Sequence, residues 1–437
     1  MLSTKPPKWT QDRYPQEFQI RKYIFDTWRK VCTEFGYQEY LGPLVESVDI
    51  RKAKSGEDVG WTELTQITNR DGEISDLALR PEMTPTVTRM VAKNYNQLAK
   101  PIRYFSIANF YRNERPQRGR NREFWQLNVD IFGSENIYAD VEILDLAISL
   151  MLWFNPPKWS WILNINNRFI IDEVLLSIGI SEDNKQEIVR TMDKRDKLPK
   201  DSIQEILIEK WLKKNQVEML VNYMNTKTLD ELIKLFPQIK KSKWVEQTTF
   251  IIKTLSDLWY SEYIEFKPSL IRGFDYYDWL VFEIFDIHPD NNRALFGGGR
   301  YNGLSSIFIK ENIPAIWFAP GDETMKLFLE SRGLLDKIIQ KTDVKNMYFP
   351  ILESWFENEV LNLANTLRKQ WRNIVCGLEF QKFAKAMQYA DKQWYNFVVI
   401  YGEQEKKKWV YRVKDMKTWK EKDFDLKERF CSRRLNK

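Results

Sequence analysis

Residues 102–133, IRYFSIANFYRNERPQRGRNREFWQLNVDIFG, constrain the fold more than any other stretch of this chain. Two strand-like runs flank a polar loop that carries Arg115, Arg118, Arg120 and Arg122. In the second run a period of two puts Gln126, Asn128 and Asp130 on one face and Leu127, Val129 and Ile131 on the other. A strand that is polar in front and apolar behind belongs in a sheet packed on one side and flooring a ligand hollow on the other. In the first run Phe110, Arg112 and Glu114 share a face, so Arg112 can point into the same hollow. Several arginines beside carboxylates suit a polyphosphate held next to an ammonium or imidazole group. From this segment alone, an edge hairpin with a solvated basic loop is an equal alternative.

Three further stretches bear on that choice. LALRPEMTPT (77–86) sets Glu82 and Thr84 directly after a short strand, LIRGFDYYDWLVFE (270–283) offers Arg272 and the pair Tyr276/Tyr277, and LFGGGRYNGL (295–304) clusters glycines where backbone can approach a ligand closely. The scarce residues exclude other chemistries. With one histidine, His288, there is no two-histidine metal site; its loop context, IFDIHPDNN, predicts a surface residue. Cys32, Cys376 and Cys431 form no C-x-x-C pair, which fits a reducing compartment without a disulfide framework or zinc site. No apolar run reaches the ~18 residues of a membrane span, and the first fifteen residues hold no signal-peptide core, so a cytoplasmic protein is expected. Catalysis must rest on Arg, Glu, Asp, Gln and Tyr.

The rest of the chain supplies the organisation. Residues 1–165 read as mixed α/β, with a helix over Gln16–Phe35, an extended segment over Tyr37–Val45, a strand at Leu77–Leu79 and a helix at Asp140–Phe154. Residues 166–262 are helical, charged and poor in glycine, as an inserted helical domain would be; strand and glycine signals return over 263–335. Residues 345–437 alternate strand and helix (Met347–Leu352, Glu357–Gln370, Arg372–Phe380, Lys382–Gln393, Asn396–Tyr401), the pattern of a small α/β domain. That segment carries 20 Lys and Arg against 12 Asp and Glu, a net +8 in a protein of net +6. A basic module on a near-neutral body suits a polyanion partner; a solvated lysine-rich face accounts for the charge equally well.

Taken in this order, the stretches resemble the histidyl-tRNA synthetases, a family of class II aminoacyl-tRNA synthetases, over essentially the whole chain. The opening PPKWTQDRYP, the Pro43 region (similar to the dimer-forming first class II motif), the second motif at Arg112 and the RGFDYY signature carry the likeness. It implies an α+β fold: an antiparallel catalytic sheet with a helical insertion, followed by a C-terminal α/β anticodon-binding domain, in a homodimer. It also implies ATP-dependent ligation of L-histidine to tRNA(His) through histidyl-adenylate, with Mg2+ on the ATP and no zinc or organic cofactor. Positioning and charge neutralisation drive such a reaction, with no protein nucleophile. By the resemblance Arg112 holds the α-phosphate and Arg272 the substrate carboxylate, while Glu114 and Arg120 orient adenine and the terminal phosphate. Glu82 and Thr84 take the α-ammonium, Gln126 the carboxylate side, and Asp130 with Tyr276 and Tyr277 the imidazole end. Arg115 and Gln117 contact the tRNA acceptor end. Two rivals share the core: a regulatory paralogue of the kind that activates ATP phosphoribosyltransferase, and a tRNA-binding sensor without ligase activity.

The chain departs from the family pattern in two ways. In the third motif, PAIWFAPGDETMKLF, Thr324 stands where the family has an arginine that braces ATP. Tryptophan is also in surplus and glycine in deficit, at 17 residues each, where about 7% glycine is usual. Trp259, Trp371 and Trp394 follow helices directly, at positions that favour glycine, and Trp409 and Trp419 are turn-like. The resemblance implies glycine at all five and at Trp9, Trp279 and Trp317. By strand parity Trp279 is expected to crowd the pocket, and Trp317 to do so near ATP. A gene in which UGA is read as glycine, but was rendered as tryptophan, joins surplus and deficit into one fact; the alternative is a genuinely tryptophan-rich protein with indoles in its core.

Overall fold

The computed structural model describes residues 3–50, 64–115, 118–193, 195, 202–210, 212–270, 278–291, 293–335, 346–370 and 373–426. The chain divides into two compact units, Met1–Ile338 and Ile339–Lys437.

The first unit is built on an eight-stranded sheet in the order β1-β5-β6-β11-β10-β9-β7-β8. These strands are β1 (Gln38–Glu39), β5 (Ile102–Tyr111), β6 (Glu123–Phe132), β7 (Trp161–Asn167), β8 (Ile264–Phe266), β9 (Leu280–Asp286), β10 (Ala294–Arg300) and β11 (Ala315–Phe318). Pairing is antiparallel except at the edges, where β1 runs parallel to β5 and β8 to β7. A separate small sheet pairs β2 (Val45–Ser47), β4 (Ile74–Leu79) and β3 (Thr65–Thr68). The segment expected to be extended over Tyr37–Val45 is thus two short strands in different sheets.

Helices cover one face of the large sheet. In α1 (Pro15–Glu34) Ile20, Ile24, Trp28 and Val31 recur at helical spacing and are buried against Phe105, Leu127 and Val129. Following α2 (Thr84–Asn94), α3 (Ile137–Trp153) is apolar nearly all round and correspondingly buried. The Asn136 side chain caps α3 by accepting from the Tyr138 amide. Asp140 on α3 meets Arg300 at the end of β10 in a buried bidentate ion pair, Oδ1–Nε 2.6 Å. In β10 only glycine fits at position 298: an added Cβ would lie 2.0 Å from the Trp317 carbonyl oxygen and 2.8 Å from the Phe282 ring. The strands therefore close tightly at the glycine cluster.

Between β7 and β8 the chain forms α4 (Arg168–Ser177), α5 (Glu182–Asp193), α6 (Ser202–Glu209), α7 (Lys214–Asn225), α8 (Leu229–Leu235) and α9 (Lys243–Asp257). Ile171, Val174, Leu207, Leu220, Tyr223 and Phe236 give these helices a core of their own. α10 (Asp322–Ser331) closes the first unit, and its Asp322 and Glu323 are ion-paired with Arg21 on α1.

The second unit carries a five-stranded sheet, β13-β12-β14-β15-β16. β12 (Asn346–Ile351), β13 (Asn373–Phe380) and β14 (Phe397–Ile400) are parallel, joined through α11 (Glu357–Lys369) and α12 (Phe383–Lys392). After α13 (Glu403–Lys407), β15 (Val410–Asp415) and β16 (Glu421–Asp425) extend the sheet antiparallel.

The turns hold an unusual population. Among the described residues seven non-glycine residues have positive φ: Asn155, which tolerates that region, and six tryptophans. The six are Trp9 (+71°), Trp159 (+60°), Trp259 (+67°), Trp394 (+56°), Trp409 (+57°) and Trp419 (+59°). Five were expected to be glycine-like; Trp159, just before β7, was not singled out. Trp371 lies outside the described residues.

Candidate active site

The two faces of β6 separate as the alternation predicts. Leu127, Val129 and Ile131 join the helix-side core. Gln126, Asn128 and Asp130 point the other way, with Ser106, Ala108 and Phe110 of β5 beside them, because β5 and β6 pair in strict register from Ile102–Phe132 to Tyr111–Glu123. The apolar rim of this second face is formed by Met83, Val87, Phe110, Val281, Tyr301 and Trp317.

On this face several polar side-chain atoms are buried with no hydrogen-bond partner among the described residues: Thr84 Oγ1, Ser106 Oγ, and both Oδ1 and Nδ2 of Asn128. Ser106 and Asn128 are register partners, and each is at most 1% exposed. An unpaired buried polar atom costs about 1–3 kcal/mol, so a group of them marks a surface built to be completed by a polar ligand. The Asp130 carboxylate anchors one end, accepting from the Tyr301 hydroxyl at 2.7 Å. Burial, then the nearby Asp130 charge, pushes the Tyr40 phenol well above its ordinary pKa, with Arg80 opposing, so Tyr40 stays a neutral donor.

Arg112 closes the other end. Its Nε donates to the Pro81 carbonyl at 2.9 Å, and its guanidinium lies 5.0 Å from the Phe124 ring centre. Glu114 stands between two cations, 3.5 Å from Arg112 and 3.6 Å from Arg120. Arg120 is largely exposed, whereas Arg112 is only 29% exposed and fixed from both sides. The Pro81 contact ties Arg112 to the segment that carries Glu82, 8% exposed, and Thr84, which opens α2. Arg80, in the same segment, is buried and donates to the carbonyls of Gly42, Pro43 and Asn109. A shallow, half-open hollow lined by Glu46, Ala78, Arg80, Glu82 and Thr86 adjoins this end of the site.

Gln126 donates to the Ala319 carbonyl at 3.3 Å and bridges to Gly321, which places the third-motif segment beside β6. Thr324 turns away from the face: its hydroxyl donates to the carbonyls of Leu295 and Gly321, both 3.0 Å away. Trp317 does lie on this face, but beside Asp130, its register partner, and edge-on to Tyr301 at 6.5 Å between ring centres, rather than near the ATP end where it was expected. The strand-parity expectation fails for Trp279. That residue precedes β9 and packs on the helix side against Trp244, 6.1 Å away, and under Arg300. His288 is half-buried rather than a free surface residue, with its amide donating to Asp286.

The structure thus brings together Glu82, Thr84, Arg112, Glu114, Arg120, Gln126 and Asp130. Arg115 is exposed in the β5–β6 connection; Gln117, Arg272, Tyr276 and Tyr277 lie outside the described residues. Tyr40, Ser106 and Tyr301 were missed. The even-numbered parity of β5 gives away Ser106, and Tyr301 stands two residues after the last glycine of the cluster; Tyr40 reaches the site only through the parallel pairing of β1 with β5.

A family model described as histidyl-tRNA synthetase matches residues 9–322 of the chain, and one described as anticodon binding domain matches residues 348–430. The chain belongs to the histidyl-tRNA synthetase family. The histidine–tRNA ligase of Leptospira biflexa is 37% identical over 432 residues, 98% of this chain and 96% of that protein. The histidine–tRNA ligase of Pyrococcus horikoshii is 31% identical over 426 residues, 96% of each. The fold of a histidyl-tRNA synthetase from Nostoc sp. PCC 7120 superposes with a TM-score of 0.84 at 19% identity, covering 98% of both chains. This is the α+β fold of the class II synthetases, with a catalytic sheet and a separate C-terminal sheet.

Proposed function

We propose that this member of the family ligates L-histidine to tRNA(His), with ATP as co-substrate and histidyl-adenylate as intermediate. The observation that carries the reading is the row of polar atoms on the ligand face that are buried without a partner among the described residues, flanked by Asp130 at one end and Arg112 at the other. The histidine–tRNA ligases of similar length and sequence support it over the regulatory paralogue, as does the anticodon-binding match at 348–430.

In this proposal the imidazole N–H donates to Asp130, which Tyr301 orients; an isosteric amino acid lacking that donor would leave the carboxylate buried and unsatisfied. Tyr276 and Tyr277 complete that end. Glu82 and Thr84 hold the α-ammonium and Gln126 the carboxylate side. Arg112, held by Pro81 and Phe124, neutralises the α-phosphate as the substrate carboxylate attacks it, with Arg272 on the developing charge. Because both partners of Arg112 are fixed before substrate arrives, the clamp needs little reorganisation during the reaction. Glu114 and Arg120 face adenine and the terminal phosphate; Arg115 and Gln117 face the tRNA end. Mg2+ on the ATP phosphates would supply further charge neutralisation beside Arg112 and Arg120. No zinc or organic cofactor enters the scheme.

The proposed divisions are a catalytic domain over 1–165 and 263–335, a helical insertion over 166–262 and an anticodon-binding domain over 345–437. A cytoplasmic homodimer completes the reading: no described helix is long and apolar enough to cross a membrane, and Leu41, Leu44, Ile74 and Leu77 near Pro43 are exposed. UGA read as glycine in the gene's host belongs to the same reading.

Histidine-dependent exchange of pyrophosphate into ATP, followed by charging of a tRNA(His) transcript, tests the function. Exchange and charging with histidine alone among the amino acids are expected. Transcript binding without exchange, in protein whose turns carry glycine, would favour the sensor.

A further inference from the structure

We propose that the native polypeptide carries glycine, not tryptophan, at positions 9, 159, 259, 394, 409 and 419. The grounds are stereochemical and independent of the enzyme's activity. Among the described residues five helices end in one hydrogen-bonded arrangement. After α1, the amide of Gly36 donates to Thr33 and that of Tyr37 to Cys32. After α4, Gly179 donates to Leu176 and Ile180 to Leu175; after α10, Gly333 donates to Glu330 and Leu334 to Leu329. After α9, Trp259 donates to Ser256 and Tyr260 to Leu255; after α12, Trp394 donates to Asp391 and Tyr395 to Ala390, every one of these four bonds 3.0–3.1 Å. The three glycines have φ of +79°, +76° and +64°, and the two tryptophans +67° and +56°. This is the left-handed helix end, whose residue is usually glycine because a Cβ there crowds the following carbonyl.

The other four positions follow the same rule in different turns. Trp409 follows α13 and donates to Lys406. Trp419 closes the β15–β16 hairpin by donating to Asp415, the loop position at which chains of this kind turn left-handed. Trp9 and Trp159 sit in turns that precede α1 and β7. Nor does burial compensate for the strain: the six are 49–88% exposed, whereas Trp28 and Trp161, which have ordinary backbone, are at most 1% exposed. Six of the fourteen described tryptophans occupy a region that non-glycine residues enter only a few per cent of the time. A single codon read as tryptophan in one code and as glycine in another produces this pattern, since it places the bulkiest side chain at some of the positions where the smallest is required.

The test has two arms. In the gene, UGA is expected at all six positions and UGG at Trp28 and Trp161; in the enzyme from its own host, the peptides spanning the six are expected to be lighter by the difference between tryptophan and glycine. UGG codons, or tryptophan-containing peptides, at these positions overturn the proposal. The second arm compares the chain as written with variants substituted at all six sites together, to glycine or to alanine. The glycine variant is expected to melt higher by about 5 °C, with a smaller gain for alanine, which keeps the Cβ. An unchanged or lower melting temperature for the glycine variant overturns the strain on which the argument stands.

Discussion

The ligand face of the large sheet and the left-handed turns of the two units are defined in opposite ways. On the ligand face each position is defined by the chemistry it presents: the Asp130 carboxylate against Tyr301, the Arg112 guanidinium against Pro81 and Phe124. In the turns a position is defined by what it lacks, because a Cβ is what the left-handed backbone rejects. Substituting tryptophan for glycine in a turn leaves the backbone path and its hydrogen bonds standing and adds strain locally. A substitution on the ligand face is expected to remove function while leaving the fold intact. The two regions meet at Trp317, a tryptophan on the ligand face itself.

The largest expected effect falls on the face. Asp130→Ala, made in a chain with glycine at the six turns, is expected to lower kcat/KM for histidine roughly 100-fold or more, about 3 kcal/mol, with little change in melting temperature. Steady-state exchange kinetics with histidine varied would check it. Equal losses in activity and thermal stability would mean that Asp130, through Tyr301, holds the core together rather than the substrate.

Trp317→Gly comes next and probes the meeting point. The indole stands beside Asp130 in the β6–β11 register and edge-on to Tyr301, where the proposal puts the imidazole. Removing it is expected to tighten histidine binding about tenfold, close to 1.4 kcal/mol, measured by calorimetry. Trp279→Gly serves as the contrast: its indole packs against Trp244 on the helix side, so its loss should leave histidine affinity unchanged. Weaker binding in the Trp317 variant would show the indole to be a wall of the site.

How much of this was legible follows from the same division. The faces of β6 were readable from alternation, since period two is a property of the strand itself, and Arg112 and Asp130 fell on the expected side. Helix ends in the second unit came within one or two residues, because strand and helix alternate there without interruption. Tyr40 was not readable: its position depends on β1 lying parallel to β5, a pairing between segments some sixty residues apart that no local pattern encodes. Trp279 was misplaced because parity was extended past the end of β9, where the backbone no longer alternates. Trp159 was overlooked because no helix precedes it, and its positive φ emerges only from the turn into β7.

The smallest expected effect is the most direct comparison of the two kinds of helix end. Gly179 closes α4 and Trp259 closes α9 with the same pair of hydrogen bonds, and both residues lie in the first unit. An added Cβ at Gly179 meets no heavy atom closer than 3.9 Å, so space does not limit a Cβ there; backbone conformation does. Gly179→Trp should therefore destabilise and Trp259→Gly stabilise, each by about 1 kcal/mol, with the glycine's looser unfolded chain trimming the gain. In the first unit either change corresponds to a shift of about 2 °C in opposite directions, read by calorimetric melting. If both variants moved the same way, the indole at 259 would be making a stabilising contact, and the equivalence of the two helix ends would fail on energy although it holds in geometry.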